Sequence, residues 1–360
     1  MDKKQRIIAE FNPNLPGAST GNIFGLPFDN SQSDIIIIPV PWEVTVSYGD
    51  GASEGDKAVL QASFQVDLLH QEFPELWKLG ISMDENTPFW RQQSKMLKKL
   101  SLPIIQALEE GRNILEIPMA RADFHRINQG CNFMTLEVKE RAMHWLNQGK
   151  MVGLLGGDHS TPLGFFQAHG ENHDNFGILH LDAHMDLREA YEDFTYSHAS
   201  IMFNALEIPQ LKKIVQVGIR DFCEEELEVV KNSAGRVKVF TDLDLKRQQF
   251  EGESWQQQCQ KIIAELPQKV HVSFDIDALY QWYCPNTGTP VPGGLSFEQA
   301  TYLLTALANS GKEIIGFDLV EVAPGENDEW DGNVGARMLF HLCGALAKSK
   351  GRHVGNRVVF

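Results

Sequence analysis

Short, largely apolar runs recur along the chain from residue 34 onward, and each is followed by glycine, proline or a polar residue. A run of this length that is apolar nearly throughout is typical of a strand buried on both faces of a parallel sheet. The runs predict strands at residues 35–40, 151–155, 176–181, 214–217, 237–240, 270–274 and 314–317.

Segments with helical character lie between and after these runs, at residues 95–110, 135–148, 223–233, 254–266, 296–310 and 333–348. The less regular region 82–135, which contains Asn86-Thr87-Pro88 and Ile117-Pro118, is interpreted as helices joined by surface loops. Strand and helix signals that alternate predict an α/β fold, a three-layer α-β-α sandwich with a central, mostly parallel sheet.

The chain has 360 residues without an internal repeat, a low-complexity tract or a long linker. Asn, Pro, Gly and Ser are spread through residues 1–33, which predicts an irregular N-terminal leader. Residues 34–360 are therefore interpreted as a single α/β domain, a size that such domains commonly reach.

Charge and cysteine content narrow the class of protein. The formal net charge is -16, which disfavours nucleic acid or an anionic membrane as a partner. Five widely spaced cysteines without a CxxC pair predict free thiols in a reducing compartment. The polar N-terminus lacks the apolar core of a signal peptide, and no stretch approaches the ~18 apolar residues of a membrane helix. We therefore expect a cytoplasmic protein.

Polar clusters follow four of the predicted strands. Since the carboxyl ends of parallel strands meet at one edge of a sheet, these clusters are expected to converge. They are Gly156-Gly157-Asp158-His159-Ser160, Asp182-Ala183-His184-Met185-Asp186, Asp275-Ile276-Asp277 and Glu321, three residues beyond Asp318.

The clusters supply potential metal ligands. Alternate positions of an extended segment point to the same side, so the second and third clusters each aim several ligands at one point. A lone Asp-x-Asp is more often a turn or a helix cap, but burial of the whole set without metal would be costly. Carboxylate with imidazole suits two divalent ions, manganese first, with nickel, cobalt or zinc as alternatives. The set is His159, Asp182, His184, Asp186, Asp275 and Asp277.

These motifs, in this order, resemble the signatures of the ureohydrolase superfamily, which includes arginase, agmatinase, guanidinobutyrase and formimidoylglutamase. The resemblance runs from about Ile35 to about Leu346 and implies an arginase-like fold. Supporting matches are Gly218-Ile219-Arg220, Thr287-Gly288-Thr289-Pro290 with Gly293-Gly294-Leu295, and Asp318-Leu319-Val320-Glu321-Val322-Ala323-Pro324.

The resemblance implies a role for each site residue. Hydroxide held between two ions would attack the guanidinium carbon, oriented by Asp186. Glu321 would bind the guanidinium, and His198 would shuttle a proton to the leaving amine. One ion would be held by His159, Asp182, Asp186 and Asp275. The other would be held by Asp182, His184, Asp275 and Asp277, so that Asp182 and Asp275 bridge.

The substrate is less closely determined. Arg188 is interpreted either as an anchor for a substrate carboxylate or, with somewhat more weight, as a structural partner of nearby carboxylates. The acidic run Glu189, Glu192 and Asp193 suits a cationic tail such as that of agmatine. We therefore expect an agmatinase-type enzyme that forms putrescine and urea. A guanidino-acid hydrolase and formimidoylglutamase are alternatives, and arginase is disfavoured because residues 187–197 lack its Asn and Thr/Ser pattern.

Two further expectations complete the interpretation. A catalytically silent regulatory homologue is disfavoured because all six ligands, His198 and Glu321 are present. The family commonly forms trimers or hexamers, so a homo-oligomer acting on a small guanidino substrate is expected. His180 and His271, inside strand runs, are expected to be structural or to orient a ligand.

Overall fold

One eight-stranded sheet, parallel at every pairing, forms the centre of the molecule in the order β2-β1-β3-β8-β7-β4-β5-β6. The computed structural model describes residues 3–15, 17, 21–85, 88–113, 120–326 and 328–360. All seven predicted strands are confirmed. The eighth strand, β2, was not predicted, because its 3 residues are too few to form a recognisable apolar run. The strands are β1 (Ile35–Val40), β2 (Ile81–Met83), β3 (Met151–Gly156), β4 (Phe176–Leu181), β5 (Leu211–Ile219), β6 (Val237–Thr241), β7 (Lys269–Asp275) and β8 (Glu313–Val320).

The helices that follow the strands confirm all six predicted segments. Sequence periodicity missed α1, α2, α5, α6 and α8, which are short and have 6 to 10 residues. The helices are α1 (Lys3–Glu10), α2 (Gly55–Ser63), α3 (Pro88–Glu109), α4 (Ala120–Asn147), α5 (Leu163–Asn172), α6 (Ile201–Leu206), α7 (Glu224–Asn232), α8 (Asp242–Phe250), α9 (Trp255–Glu265), α10 (Phe297–Asn309) and α11 (Trp330–Ser349).

Helices cover both faces of the sheet, which confirms the three-layer α-β-α architecture. Alternate residues of β1 enter different cores: Ile35 and Ile37 pack with α2 and α11, whereas Ile38 and Val40 pack with α3 and α4. This alternation follows from the two-residue period of a strand. Every β1 side chain is buried, as expected for a parallel strand between two helix layers.

The region 82–135 holds long helices, as predicted, with α3 and α4 packed against each other. Residues 86–87 and 114–119, which include Asn86-Thr87 and Ile117-Pro118, lie outside the described residues. No helix in the described ranges is long and apolar enough to cross a membrane.

The prediction of an irregular leader over residues 1–33 is wrong for residues 3–10, which form α1. Helix α1 places Ile7 and Ile8 against the main core, and the Phe11 ring lies 5.4 Å from that of Trp77. Ile23 and Phe24 are almost completely buried. The turn-forming residues that suggested irregularity lie after α1. The short helix before them was missed because it is stabilised by packing of its apolar side chains against the main core.

Candidate metal centre and active site

The four polar clusters meet at the carboxyl edge of the sheet. Strands β3, β8, β7 and β4 are neighbours in that order, and each delivers its cluster where the strand ends. The parallel direction of the strands therefore brings together side chains that lie up to 162 residues apart in sequence, such as His159 and Glu321.

His159 faces three carboxylates. Its Nδ1 atom lies 3.0 Å from Asp182 Oδ2, 3.1 Å from Asp186 Oδ2 and 3.3 Å from Asp275 Oδ2. Nδ1 is buried and makes no well-directed hydrogen bond to any of them. Three anionic oxygens around one ring nitrogen are stable only if a cation lies between them, so this arrangement fits a metal ion.

The far side of the His159 ring determines its tautomer. Nε2 lies 2.9 Å from Ser273 Oγ, which in turn donates to Asp318 Oδ1 at 2.9 Å. Because the serine proton is used on Asp318, Nε2 must donate to the serine oxygen. The lone pair of a neutral His159 is then on Nδ1, directed at the three carboxylates. His271, predicted to be structural, holds the other Asp318 oxygen at 2.7 Å.

A second group of ligands is centred on His184. Its Nδ1 atom lies 3.1 Å from Asp277 Oδ2 and 3.4 Å from Asp182 Oδ1. Asp182 thus presents one oxygen to each group, as a bridging carboxylate must. Asp275 Oδ2 faces the first group, 3.3 Å from His159 Nδ1, and its Oδ1 accepts the Asp277 backbone N–H at 2.8 Å.

His180 lies within the first group but is not free to bind a metal. Its Nε2 atom donates to Asp182 Oδ2 at 2.8 Å. Its Nδ1 accepts from the Gln216 amide nitrogen at 3.0 Å, and that nitrogen also donates to the Met185 carbonyl at 2.6 Å. Both ring nitrogens are therefore occupied, and His180 orients the bridging carboxylate, as predicted.

The charges of the site show that it requires cations. Burial, with the neighbouring carboxylates, raises the pKa of Asp186 and, more strongly, that of Asp275. Burial would lower the pKa of His159, but its three carboxylate neighbours hold it well above its ordinary value. The carboxylates likewise overcome burial to raise the pKa of His184 to about 12. In the absence of metal, protons therefore take the place of the missing positive charge.

Two site residues have backbone angles that side chains rarely adopt. Asp186 has φ 53° and Glu321 has φ 61°. Such residues persist where the surroundings hold them, and they concentrate at functional sites. The Asp186 carbonyl accepts N–H groups of Met202 and Phe203 at 3.0 and 3.2 Å, and the Glu321 N–H donates to Gly157 at 2.8 Å. The backbone of each residue is thus held by hydrogen bonds to another part of the fold.

A cavity of about 150 Å³ opens beside the two groups. Glu321 lies in its wall, where Oε1 accepts the His159 N–H at 2.8 Å. Its other oxygen, Oε2, lies beside Gly288, where a β-carbon would be 3.6 Å away. The cavity is lined by Ser47, His159, His184, Asp186, Arg188, Tyr191, His198, Ala199, Asp221, Phe222, Glu226, Asp275, Thr289 and Glu321.

His198 and Arg188 both line this cavity, as predicted. Burial, together with the imidazoles of His184 and His159, lowers the pKa of His198 to about 4, so its ring is neutral at pH 7. The Arg188 guanidinium lies 5.0 Å from the centre of the Tyr191 ring. Within the described residues no carboxylate forms an ion pair with Arg188, so the preferred structural interpretation, pairing with Glu189, Glu192 or Asp193, is wrong.

Several cavity residues escaped the sequence interpretation. Asp221 directly follows the Gly218-Ile219-Arg220 motif, and the neighbouring position of β5 beside β4 brings it to 4.0 Å from His184 Nε2. Ser47 precedes the glycine-rich loop after β1. For Asp221 and Ser47, a position next to a recognised motif was a signal in the sequence that they could belong to the site. Tyr191 and Phe222 had none, because their place depends on loop conformation.

The position of Asp182 between the two groups leads to a first prediction. Asp182→Ala removes one oxygen from each ligand group, so the protein should lose metal from both sites and lose activity with it. The measurement is elemental analysis of protein loaded with manganese and then desalted. Asp331→Ala, which removes another buried carboxylate that belongs to neither group, is the control. Full metal occupancy in Asp182→Ala would contradict the bridging assignment.

Metal stabilisation should depend on pH. His159, His184, Asp186 and Asp275 have raised pKa values, so without metal each group keeps its proton to a higher pH than in the unfolded chain, and the stability that this adds is lost as the pH rises. A metal ion displaces these protons and binds more tightly at higher pH, each tenfold gain adding about 1.4 kcal/mol. The Tm difference between manganese-loaded and metal-free protein should therefore widen from acidic to mildly alkaline pH. A constant difference in calorimetry would exclude this linkage.

Comparison with known proteins identifies the family. The arginase family model matches residues 33–344. An N(1)-aminopropylagmatine ureohydrolase of Thermus thermophilus is 29% identical over 319 residues, 88% of this chain and 91% of that protein. An agmatinase of Bacillus anthracis is 26% identical over 81% of this chain and 84% of its own. The agmatine ureohydrolase of Thermoplasma volcanium has the same fold, with a TM-score of 0.68 at 19% identity over 96% of this chain and 99% of that chain. The chain belongs to the arginase family, and is an enzyme of the ureohydrolase superfamily most like its agmatinase-type members, as its motifs predicted.

Proposed function

We propose that the protein hydrolyses a guanidino compound in the cavity beside Glu321 and releases urea, with agmatine as the substrate and putrescine as the second product. The Glu321 carboxylate, buried in the cavity wall next to two carboxylate–imidazole groups, is the observation that carries this proposal. A guanidinium ion is planar and donates pairs of parallel hydrogen bonds, and a carboxylate is its natural partner.

Two divalent ions complete the site in this proposal. They would be held by the six ligands predicted from the sequence, with Asp182 shared between the groups. Carboxylates with imidazole favour manganese, and nickel, cobalt or zinc also suit such ligands. The chemistry that such ions supply is activation of water near neutral pH.

The protein's own side chains position the substrate and move its proton. Glu321 fixes the guanidinium, while Asp186 faces the same cavity with Oδ2 3.1 Å from His159 Nδ1. His198 lines the same cavity and is neutral at pH 7. A neutral imidazole can accept a proton and then pass it to the departing amine.

A substrate with an amine tail is favoured by two considerations. The relatives named above carry the names agmatinase and N(1)-aminopropylagmatine ureohydrolase. In this protein, Asp221 lies in the cavity wall with its side chain 67% exposed, where a cationic tail can reach it. The net charge of -16 would also attract a cation.

Arg188 favours a second candidate, a guanidino acid. Its guanidinium lines the cavity, lies on Tyr191, and has no carboxylate partner within the described residues. A substrate carboxylate would satisfy this charge. Formimidoylglutamate belongs to the same candidate, since it also has carboxylates, but its product would be formamide and not urea.

The test is product release by manganese-loaded protein from agmatine, N(1)-aminopropylagmatine, arginine, guanidinobutyrate and guanidinopropionate, with formamide assayed in parallel from formimidoylglutamate. Urea from agmatine in preference to the acids supports the proposal. A preference for a guanidino acid, or formamide release, assigns Arg188 as the carboxylate anchor. Silence with manganese, nickel and cobalt would favour the non-catalytic homologue. The cytoplasmic location and the trimer or hexamer stay predictions of the sequence.

Glu321→Gln should weaken substrate binding while leaving the metal in place. The amide oxygen can still accept the His159 N–H, but the negative charge opposite the guanidinium is lost. A hydrogen bond to a charged group contributes about 1.5–3 kcal/mol, so kcat/KM should fall roughly 10- to 100-fold. Steady-state kinetics and metal analysis provide the readouts. An unchanged kcat/KM would show that Glu321 does not contact the guanidinium.

A further inference from the structure

One face of α3 carries polar side chains at helical spacing: Arg91, Ser94, Lys98 and Ser101. Intervals of three, four and three residues place them in one stripe along the helix. None of them is more than 16% exposed. A polar stripe on a helix normally faces water, so a buried one indicates that another part of the protein satisfies it.

The partner of this stripe is the segment of residues 43–56, here called the mouth loop. All four side chains of the stripe contact this segment. Ser94 Oγ accepts the Glu43 N–H at 2.9 Å, Lys98 pairs with the Glu43 carboxylate, Ser101 donates to the Val44 carbonyl, and Arg91 donates to the Ser53 carbonyl and pairs with Asp56 at 2.7 Å.

Glu43 is the centre of these contacts. Its side chain is only 2% exposed. Oε2 accepts two backbone N–H groups of the mouth loop, from Gly51 at 3.1 Å and Ser53 at 2.9 Å. Oε1 accepts from Lys98, whose ammonium also lies 3.4 Å from Asp50. The buried carboxylate thus gathers the loop backbone around itself, and Lys98 balances its charge.

The opposite side of the mouth loop forms part of the cavity. Ser47 lines the cavity wall, and the following Tyr48 is 84% exposed. Gly49 donates its N–H to the Gly288 carbonyl at 3.1 Å, and Gly288 lies beside Oε2 of Glu321. The loop therefore lies between the α3 stripe and the position proposed for the guanidinium.

We propose that the Lys98–Glu43 ion pair is a positioning device for substrate binding. It determines the curvature of the mouth loop and hence the place of Ser47 at the cavity wall. Lys98 acts through Glu43 and is absent from the cavity lining and from both ligand groups. The inference rests on the proposed function, because the substrate concerned is the one bound beside Glu321.

Lys98→Met tests this inference. Without the ammonium, Glu43 loses one of its partners and the mouth loop should loosen. We expect KM to rise about tenfold, the loss of roughly one hydrogen bond of binding, while kcat changes little. Metal content should stay unchanged, and backbone hydrogen exchange should accelerate over residues 45–53. Lys98→Arg keeps the charge and should restore most of the wild-type KM.

Lys95→Met is the matched control. Lys95 lies one turn earlier on α3, is 64% exposed, and contacts Glu54 at 3.5 Å. Its removal should leave KM and loop exchange at wild-type values. If Lys98→Met folds poorly because Glu43 is left buried and unbalanced, Glu43→Gln with Lys98→Met removes both charges. The double variant should fold and still show the raised KM.

The outcomes separate this inference from the proposed function. Wild-type KM and loop exchange in both Lys98→Met and the double variant would overturn the positioning role. A parallel loss of kcat, metal and melting temperature would also overturn it, because the pair would then support only the fold. If wild-type protein releases no product from any substrate, the proposed function fails. Hydrogen exchange then still decides whether Lys98 holds the mouth loop: faster exchange in Lys98→Met supports that hold and wild-type exchange overturns it.

Discussion

Buried negative charge at the carboxyl edge of the sheet is the constraint on which the rest of the site depends. Four neighbouring strands end in carboxylates that the fold removes from water, and an uncompensated buried carboxylate is very costly. The histidines alone cannot balance this charge unless they are protonated, as the raised pKa values of His159 and His184 show. Divalent cations balance the charge of the carboxylates without protonation of the imidazoles, which are then free to act as ligands. The site is therefore organised around ions that its chemistry demands.

The surrounding residues hold the ligands in place. Ser273, Asp318 and His271 form a buried chain behind His159 that fixes which ring nitrogen faces the carboxylates. His180, itself held by Gln216, fixes the orientation of the Asp182 carboxylate. These groups lie within or beneath the strands, where the backbone is rigid. A ligand set supported in this way is prepared for metal before metal arrives, which reduces the reorganisation that binding requires.

The mouth of the cavity is built differently from its floor. The floor is composed of strand ends, whereas the mouth is composed of loops held by contacts between distant segments, such as Glu43 with Lys98 and Arg188 with Tyr191. Loops of this kind vary among relatives more readily than strands do. A fold that keeps its metal ligands on the sheet and its substrate contacts on loops can therefore change substrate while conserving its chemistry.

The sequence alone predicted the seven main strands, the polar clusters that meet at their ends and the family, because apolar runs and short polar motifs are local signals carried by consecutive residues. It also indicated that His180 would orient a ligand, since the residue lies two positions before Asp182 inside a strand. Other features became visible only in the folded structure. Residues 3–10 form a helix and β2 joins the sheet. Arg188 lies on Tyr191 with no carboxylate partner in the described residues. The fold also brings Glu43 and Lys98, which are 55 residues apart, into an ion pair. These features depend on the burial of one segment against another, and no periodicity within a segment records its partner.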